Sequence, residues 1–76
     1  MPKIPIIKPK DFLAYLLKFD CNIVNVKGSH YKIVNNKNNK ISVLPLHSED
    51  LKRGTFAGIL KQLDIDIDEF INFIFK

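Results

Sequence analysis

Cysteine is nearly absent. Cys21 stands alone among 76 residues, so no internal disulfide can form. A Cys-x-x-Cys pair and a cysteine-rich zinc site are excluded with it. A single thiol suits a reducing, cytoplasmic setting. Long hydrophobic runs are also missing. No stretch approaches the roughly 18 unbroken apolar residues of a spanning helix, so no membrane partner is expected. The opening run Met1-Pro2-Lys3-Ile4-Pro5-Ile6-Ile7 is too short and too broken by proline for a signal peptide. No internal repeat, low-complexity tract or domain boundary is visible, so residues 1–76 read as one domain. Only two histidines occur, His30 and His47, and no carboxylate–histidine cluster suggests a metal. The apolar fraction, 46%, is that of an ordinary globular domain, and a core this small gives marginal stability.

Negative charge is scarce in the first two-thirds of the chain. Residues 1–53 carry ten Lys or Arg against four Asp or Glu, a balance of +6, whereas residues 54–76 carry two against four, a balance of −2. The basic excess therefore belongs to the part that holds both histidines. A basic face favours a polyanion through phosphate contacts and counterion release. Lysines also keep a small protein soluble, so charge alone does not decide for nucleic acid.

Hydrophobic spacing gives the elements. Pro2, Pro5 and Pro9 make residues 1–8 an extended arm, and Pro9 suits the first turn of a helix. From there to Phe19, the pairs Phe12/Leu13 and Leu16/Leu17 recur four apart, an amphipathic stripe with Lys10, Asp11, Tyr15 and Lys18 off it. Asp20, Cys21 and Asn22 break the pattern. Ile23 to Val26 is a short β-branched run punctuated by Gly28. His30 to Val34 reads as a second strand. Asn35-Asn36-Lys37-Asn38-Asn39 is a turn, because Asn tolerates positive φ and bonds to its own backbone. Lys40 to Leu44 is a third strand stopped by Pro45. Three short strands with tight links make an antiparallel meander. Phe56, Ile59, Leu60 and Leu63 then restore helical spacing. Asp66, with Glu69 three residues on, predicts the N-cap of a last helix. That helix carries Phe70, Ile71, Phe73, Ile74 and Phe75, more apolar surface than one core stripe requires. It either closes the core or turns part of its surface to a partner.

The expected fold is α+β, a three-stranded antiparallel sheet with helices on one face and the other face left for water or a ligand. Strand alternation sends Tyr31 and Ile33 one way and His30 and Lys32 the other. If the apolar pair meets the helices, His30 and Lys32 lie together on the open face. Ser29 sits at the head of that strand after Gly28, which permits a backbone angle that a β-carbon disfavours.

The runs Gly28-Ser29-His30, Pro45-Leu46-His47 and Leu51-Lys52-Arg53-Gly54-Thr55, followed by Ile59-Leu60-Lys61-Gln62, resemble the HicA family of toxin mRNA interferases. In that family a glycine-serine-histidine run opens the second strand, a proline-x-histidine run ends the third, and a Leu-Lys-Lys/Arg-Gly-Thr run leads into the second helix. The resemblance covers roughly residues 9–72, in order and at the right spacing. Two turns depart from it. The family often has a glycine soon after the first helix, where this chain has Phe19-Asp20-Cys21. It often has Ala-Gly after the second helix, where this chain has Leu63-Asp64.

The resemblance implies a fold like a double-stranded-RNA-binding domain, in α-β-β-β-α order. It implies mRNA cleavage that arrests growth, and a HicB-like antitoxin that covers the active site, in a possible toxin–antitoxin hetero-oligomer. It makes His30 the catalytic residue. The chemistry is coherent with this, since RNA carries its own nucleophile in the 2′-hydroxyl and histidine titrates near neutrality. No metal or other cofactor is required. Lys32 is placed to neutralise developing phosphate charge and Lys27 to bind the backbone. Gly28, Ser29, His47, Lys52 and Arg53 complete the candidate RNA-binding set. His47 is either the complementary acid, an RNA contact or a loop histidine, and Ser29 orients the turn rather than acting as a nucleophile. Two rival classes are a non-catalytic RNA-binding module and a protein-interaction element using the apolar last helix.

Overall fold

A computed structural model describes residues 6–46 and 49–75. The order is α1 (Pro9–Lys18), β1 (Cys21–Lys27), β2 (His30–Asn35), β3 (Ile41–Pro45), α2 (Arg53–Gln62) and α3 (Ile67–Ile74). The strands form one antiparallel sheet in the order β1-β2-β3. This is the expected α+β architecture, ending in two helices as the Phe56–Leu63 spacing and the Asp66 cap predict. Of the extended arm, residues 1–5 lie outside the described residues. Its described end pairs with the segment before α2, Leu51 donating its N–H to the Ile7 carbonyl at 2.8 Å, and both side chains are buried.

Pro9 occupies the first turn of α1 after the extended Lys8, where a missing N–H has no cost. Phe12 and Leu16 are fully buried. The stripe is rotated from its expected course, however. Leu17 is 44% exposed, while Tyr15 and Phe19 pack against the core. The reason is α3, whose Phe70 and Phe73 take that flank. Phe73 meets Tyr15 edge-on at 6.5 Å, and Phe19 stands edge-on to Phe70 and Phe73 at 5.2 and 5.1 Å. Phe70 also touches Phe12 and Phe56, at 5.6 and 6.0 Å between ring centres. These rings join α1, α2 and α3, and edge-on pairs add about 0.5–1.5 kcal/mol each beyond area burial. The last helix thus closes the core with Phe70 and Ile71 and leaves Phe75 68% exposed.

Cys21, Ile33, Asn35, Ser42 and Leu44 are the buried residues of the sheet, on the face that α1 and α2 cover. β1 begins at Cys21, earlier than the β-branched run suggests, and a bulge between Ile23 and Asn25 lets it follow β2. Buried Asn35 is satisfied on both ends of its amide. Its Nδ2 donates to the Leu63 carbonyl at 2.8 Å, and its Oδ1 accepts from Lys37 N–H at 3.1 Å. Ser42 donates to Gln62 Oε1 at 2.5 Å. The sheet is therefore fastened to the end of α2. The asparagine turn forms as expected, with Asn39 at φ 61°.

The helix ends follow local chemistry. Leu63 caps α2, the Asp64 N–H bonds to the Lys61 carbonyl at 3.1 Å, and the Ile65 N–H bonds to the Leu60 carbonyl at 2.9 Å. This is the Schellman pattern, with left-handed Asp64 at φ 56° where glycine is usual. Asp66 caps α3 as expected, its Oδ2 accepting from Glu69 N–H at 3.1 Å.

Candidate functional site

Gly28 and Ser29 form the two-residue turn between β1 and β2. Gly28 has φ +60°, and a β-carbon there would meet nothing within 4 Å. The backbone angle, not lack of space, selects glycine. The turn is held from the other side as well, since the Leu46 N–H bonds to the Ser29 carbonyl at 2.6 Å. His30 is thus the first residue of a strand whose entrance is fixed by both neighbours.

Register places the side chains. His30 lies opposite Lys27 on β1 and Pro45 on β3, and Lys32 lies opposite Asn25 and Val43. Directly opposed residues share a sheet face, with Cβ atoms about 4.5–5.5 Å apart. The core face takes Ile33 and the half-buried Tyr31, so His30 and Lys32 fall on the open face and both are exposed. Lys27 joins them. The open face therefore groups Lys27, His30 and Lys32 at one end. Beyond them lie Val34, Ile41 and Val43, with Ile41 and Val43 each 46% exposed.

The other expected site residues are placed differently. Lys52 is the exposed N-cap of α2 and Arg53 its exposed first residue. Lys52 lines a groove of about 230 Å³ with Pro9, Pro45, Asp50 and Thr55, so it reaches the sheet end that carries His30 through Pro45. Arg53 belongs to the helical layer behind the sheet and shares no face with His30. His47 lies outside the described residues. Asn25 and the valine–isoleucine strip were not legible from sequence. A bulge hides the register of Asn25. The run Ile41-Ser42-Val43-Leu44 carries apolar residues on both faces, so alternation alone does not say which pair is buried.

Cys21 takes no part in this face. Burial, reinforced by the Asp20 charge, pushes its thiol up to about 11, which leaves it protonated and inert at neutral pH. Among the described residues, no three His, Cys, Asp or Glu side chains gather where a metal ion would fit. None of the described helices is long and apolar enough to cross a membrane.

The family model for the HicA toxin of bacterial toxin–antitoxin systems matches residues 9–65, from the start of α1 to the end of the Schellman turn. The chain belongs to the HicA toxin family. It is the toxin component of a toxin–antitoxin system, and its cognate partner is an antitoxin. A comparison with curated proteins returns no match. In this HicA-family toxin the matched region contains the whole sheet, the Gly28-Ser29 turn and His30, while α3 lies beyond it.

Proposed function

We propose that this toxin is a metal-independent endoribonuclease that cleaves mRNA, with His30 as its catalytic residue. The observation that carries the reading is the grouping of His30 with Lys27 and Lys32 on one exposed sheet face. An imidazole flanked by two ammonium groups suits a phosphodiester. In the proposed reaction the 2′-hydroxyl loses its proton and attacks the adjacent phosphorus. The bond to the 5′-oxygen breaks, and that oxygen takes up a proton as it leaves. His30 serves as general base or general acid, a contribution of about 10²–10⁴-fold. Lys32 offsets the charge developing on the phosphorane oxygens. Lys27 binds the flanking backbone, and Gly28 and Ser29 orient the turn. His47, Lys52 and Arg53 are proposed as RNA contacts away from the reacting atoms. The product is a 2′,3′-cyclic phosphate. The antitoxin, a HicB-like protein, neutralises the toxin by covering this face.

The test in cells is induced expression of wild type and His30→Ala, with growth and mRNA integrity followed together. Wild type arrests growth and fragments mRNA, and the variant does neither. Equal toxicity of the two overturns the assignment.

A further inference from the structure

The sheet has two edges, and they differ. β1 is blunted. Its bulge between Ile23 and Asn25 interrupts the regular spacing of outward groups, a common way to protect an edge. His30 and Lys32 pair with Lys27 and Asn25, so the Val26 N–H between those two points away from β2. That N–H is already taken, by Asn25 Oδ1 at 2.9 Å. A charged residue, Lys27, closes the strand.

β3 has none of these protections except at its last residue. Asn35 N–H bonds to the Lys40 carbonyl, and Leu46 N–H to the Ser29 carbonyl. In an antiparallel ladder hydrogen-bonded pairs alternate with non-bonded ones. The pairs Ile33/Ser42 and Tyr31/Leu44 between those two bonds therefore face each other. Ile41, Val43 and Pro45 turn their backbone groups away from β2. Ile41 and Val43 each offer an outward N–H and C=O, and Pro45 offers a carbonyl only. Among the described residues no strand pairs with that side. The strand is regular and carries no charge, and its two outward-bonding residues are those that expose apolar side chains on the open face.

We infer that the antitoxin docks by adding a short extended segment to the outer edge of β3. Added strands of this kind bind through main-chain hydrogen bonds and read specificity with alternate side chains. The segment places apolar side chains beside Ile41 and Val43. It also carries a carboxylate on the same face. From the new strand to Lys32 is two strand spacings, about 10 Å, which a Glu and a Lys side chain together span. Charge selects an acidic partner, because the open face and the chain up to residue 53 are basic. A second copy of this chain would pair its own β3, Ile41–Pro45, which carries no carboxylate to meet Lys32. The segment also stands next to Pro45, the cross-strand neighbour of His30, so docking here shields the proposed catalytic face. The docking edge follows from the backbone and from the toxin–antitoxin relationship. Only the shielding rests on the proposed function.

The experiment is amide hydrogen exchange on the full chain, alone and bound to its cognate antitoxin, with affinities for Val43→Pro and Val26→Pro. Binding slows exchange at Ile41 and Val43 and leaves Val26 unchanged. Val43→Pro deletes one outward donor without touching the β2–β3 ladder. It loses about ten- to a hundredfold in affinity, as for one interface hydrogen bond and its stranded partner. Val26→Pro binds like wild type. Val43→Glu, which keeps the N–H and the strand but sets a like charge against the acidic segment beside Lys32, also weakens binding and guards against a folding defect in the proline variant. His30→Ala abolishes cleavage yet keeps the protection of Ile41 and Val43 by antitoxin, so loss of cleavage and loss of docking are read separately. Unchanged exchange at Ile41 and Val43 in the complex overturns the inference. So does protection of the same amides by the toxin's own concentration, which would assign the edge to a second copy.

Discussion

Asp64→Gly should stabilise this protein. Asp64 sits at φ 56° in the Schellman turn after α2. The left-handed region costs an L-residue about 1–2 kcal/mol, less for Asp and Asn than for most. Glycine removes that cost and adds about 0.5–1 kcal/mol of unfolded-state entropy in return. The carboxylate also stands at a helix C-terminus, where the macrodipole disfavours a negative charge by about 0.3–1 kcal/mol. The side chain is exposed, so little packing is lost. The net gain is about 0.5–1 kcal/mol, or about 2–8 °C in Tm for a domain of this size. Thermal unfolding followed by circular dichroism reads it. Asp64→Asn separates the two terms, since it removes the charge and keeps a side chain that tolerates left-handed backbone. Asp20→Gly is the comparison. Asp20 has φ 65° but accepts a hydrogen bond from Asn36 Nδ2 at 3.3 Å, so its gain is smaller. A Tm for Asp64→Gly at or below wild type refutes the reasoning.

Phe70→Ala removes the ring that joins α1, α2 and α3 and should cost about 3–5 kcal/mol, a large part of the stability of so small a domain; urea titration measures it. Cys21 should resist alkylation at pH 8 in the folded chain and react at once in denaturant. Its raised pKa also gives stability a pH limit. The folded thiol holds its proton more tightly than the unfolded one, so this contribution is complete below about 9 and is lost as pH rises toward about 11; unfolding midpoints across that range check the sign. Lys32→Ala should weaken RNA binding and lower the slope of log affinity against log salt by about 0.7, as for one single-strand phosphate contact. Titrations of non-cleaved RNA at several salt concentrations measure that slope.

Much of this fold is legible because local signals agree. Pro9, the asparagine turn, the Asp66 cap and the alternation of His30, Tyr31, Lys32 and Ile33 each admit one reading. The face that carries His30 follows from that alternation, with Ile33 buried. Other features depend on tertiary contacts. The stripe of α1 turns toward Tyr15 and Phe19 only because α3 brings Phe70 and Phe73 to that side. Lys27 joins His30 through the Gly28-Ser29 turn, and the bulge near Val24 hides the pairing of Asn25 with Lys32. The two turns that depart from the HicA pattern are the clearest case. Asp20 and Asp64 look like lost glycines in the sequence, yet both hold the left-handed backbone, so the turns survive the change of residue.

His30 is proposed to drive attack by the RNA's own 2′-hydroxyl on the adjacent phosphorus. The most direct measurement is cleavage of an end-labelled single-stranded RNA by the purified toxin and its His30→Ala variant, in chelator, with the new 3′ ends identified. The proposed reaction gives fragments ending in 2′,3′-cyclic phosphate from the wild type, and a rate lower by about 10²-fold or more in the variant. Fragments ending in a 3′-hydroxyl with a strict need for magnesium, or equal cleavage by His30→Ala, would contradict it.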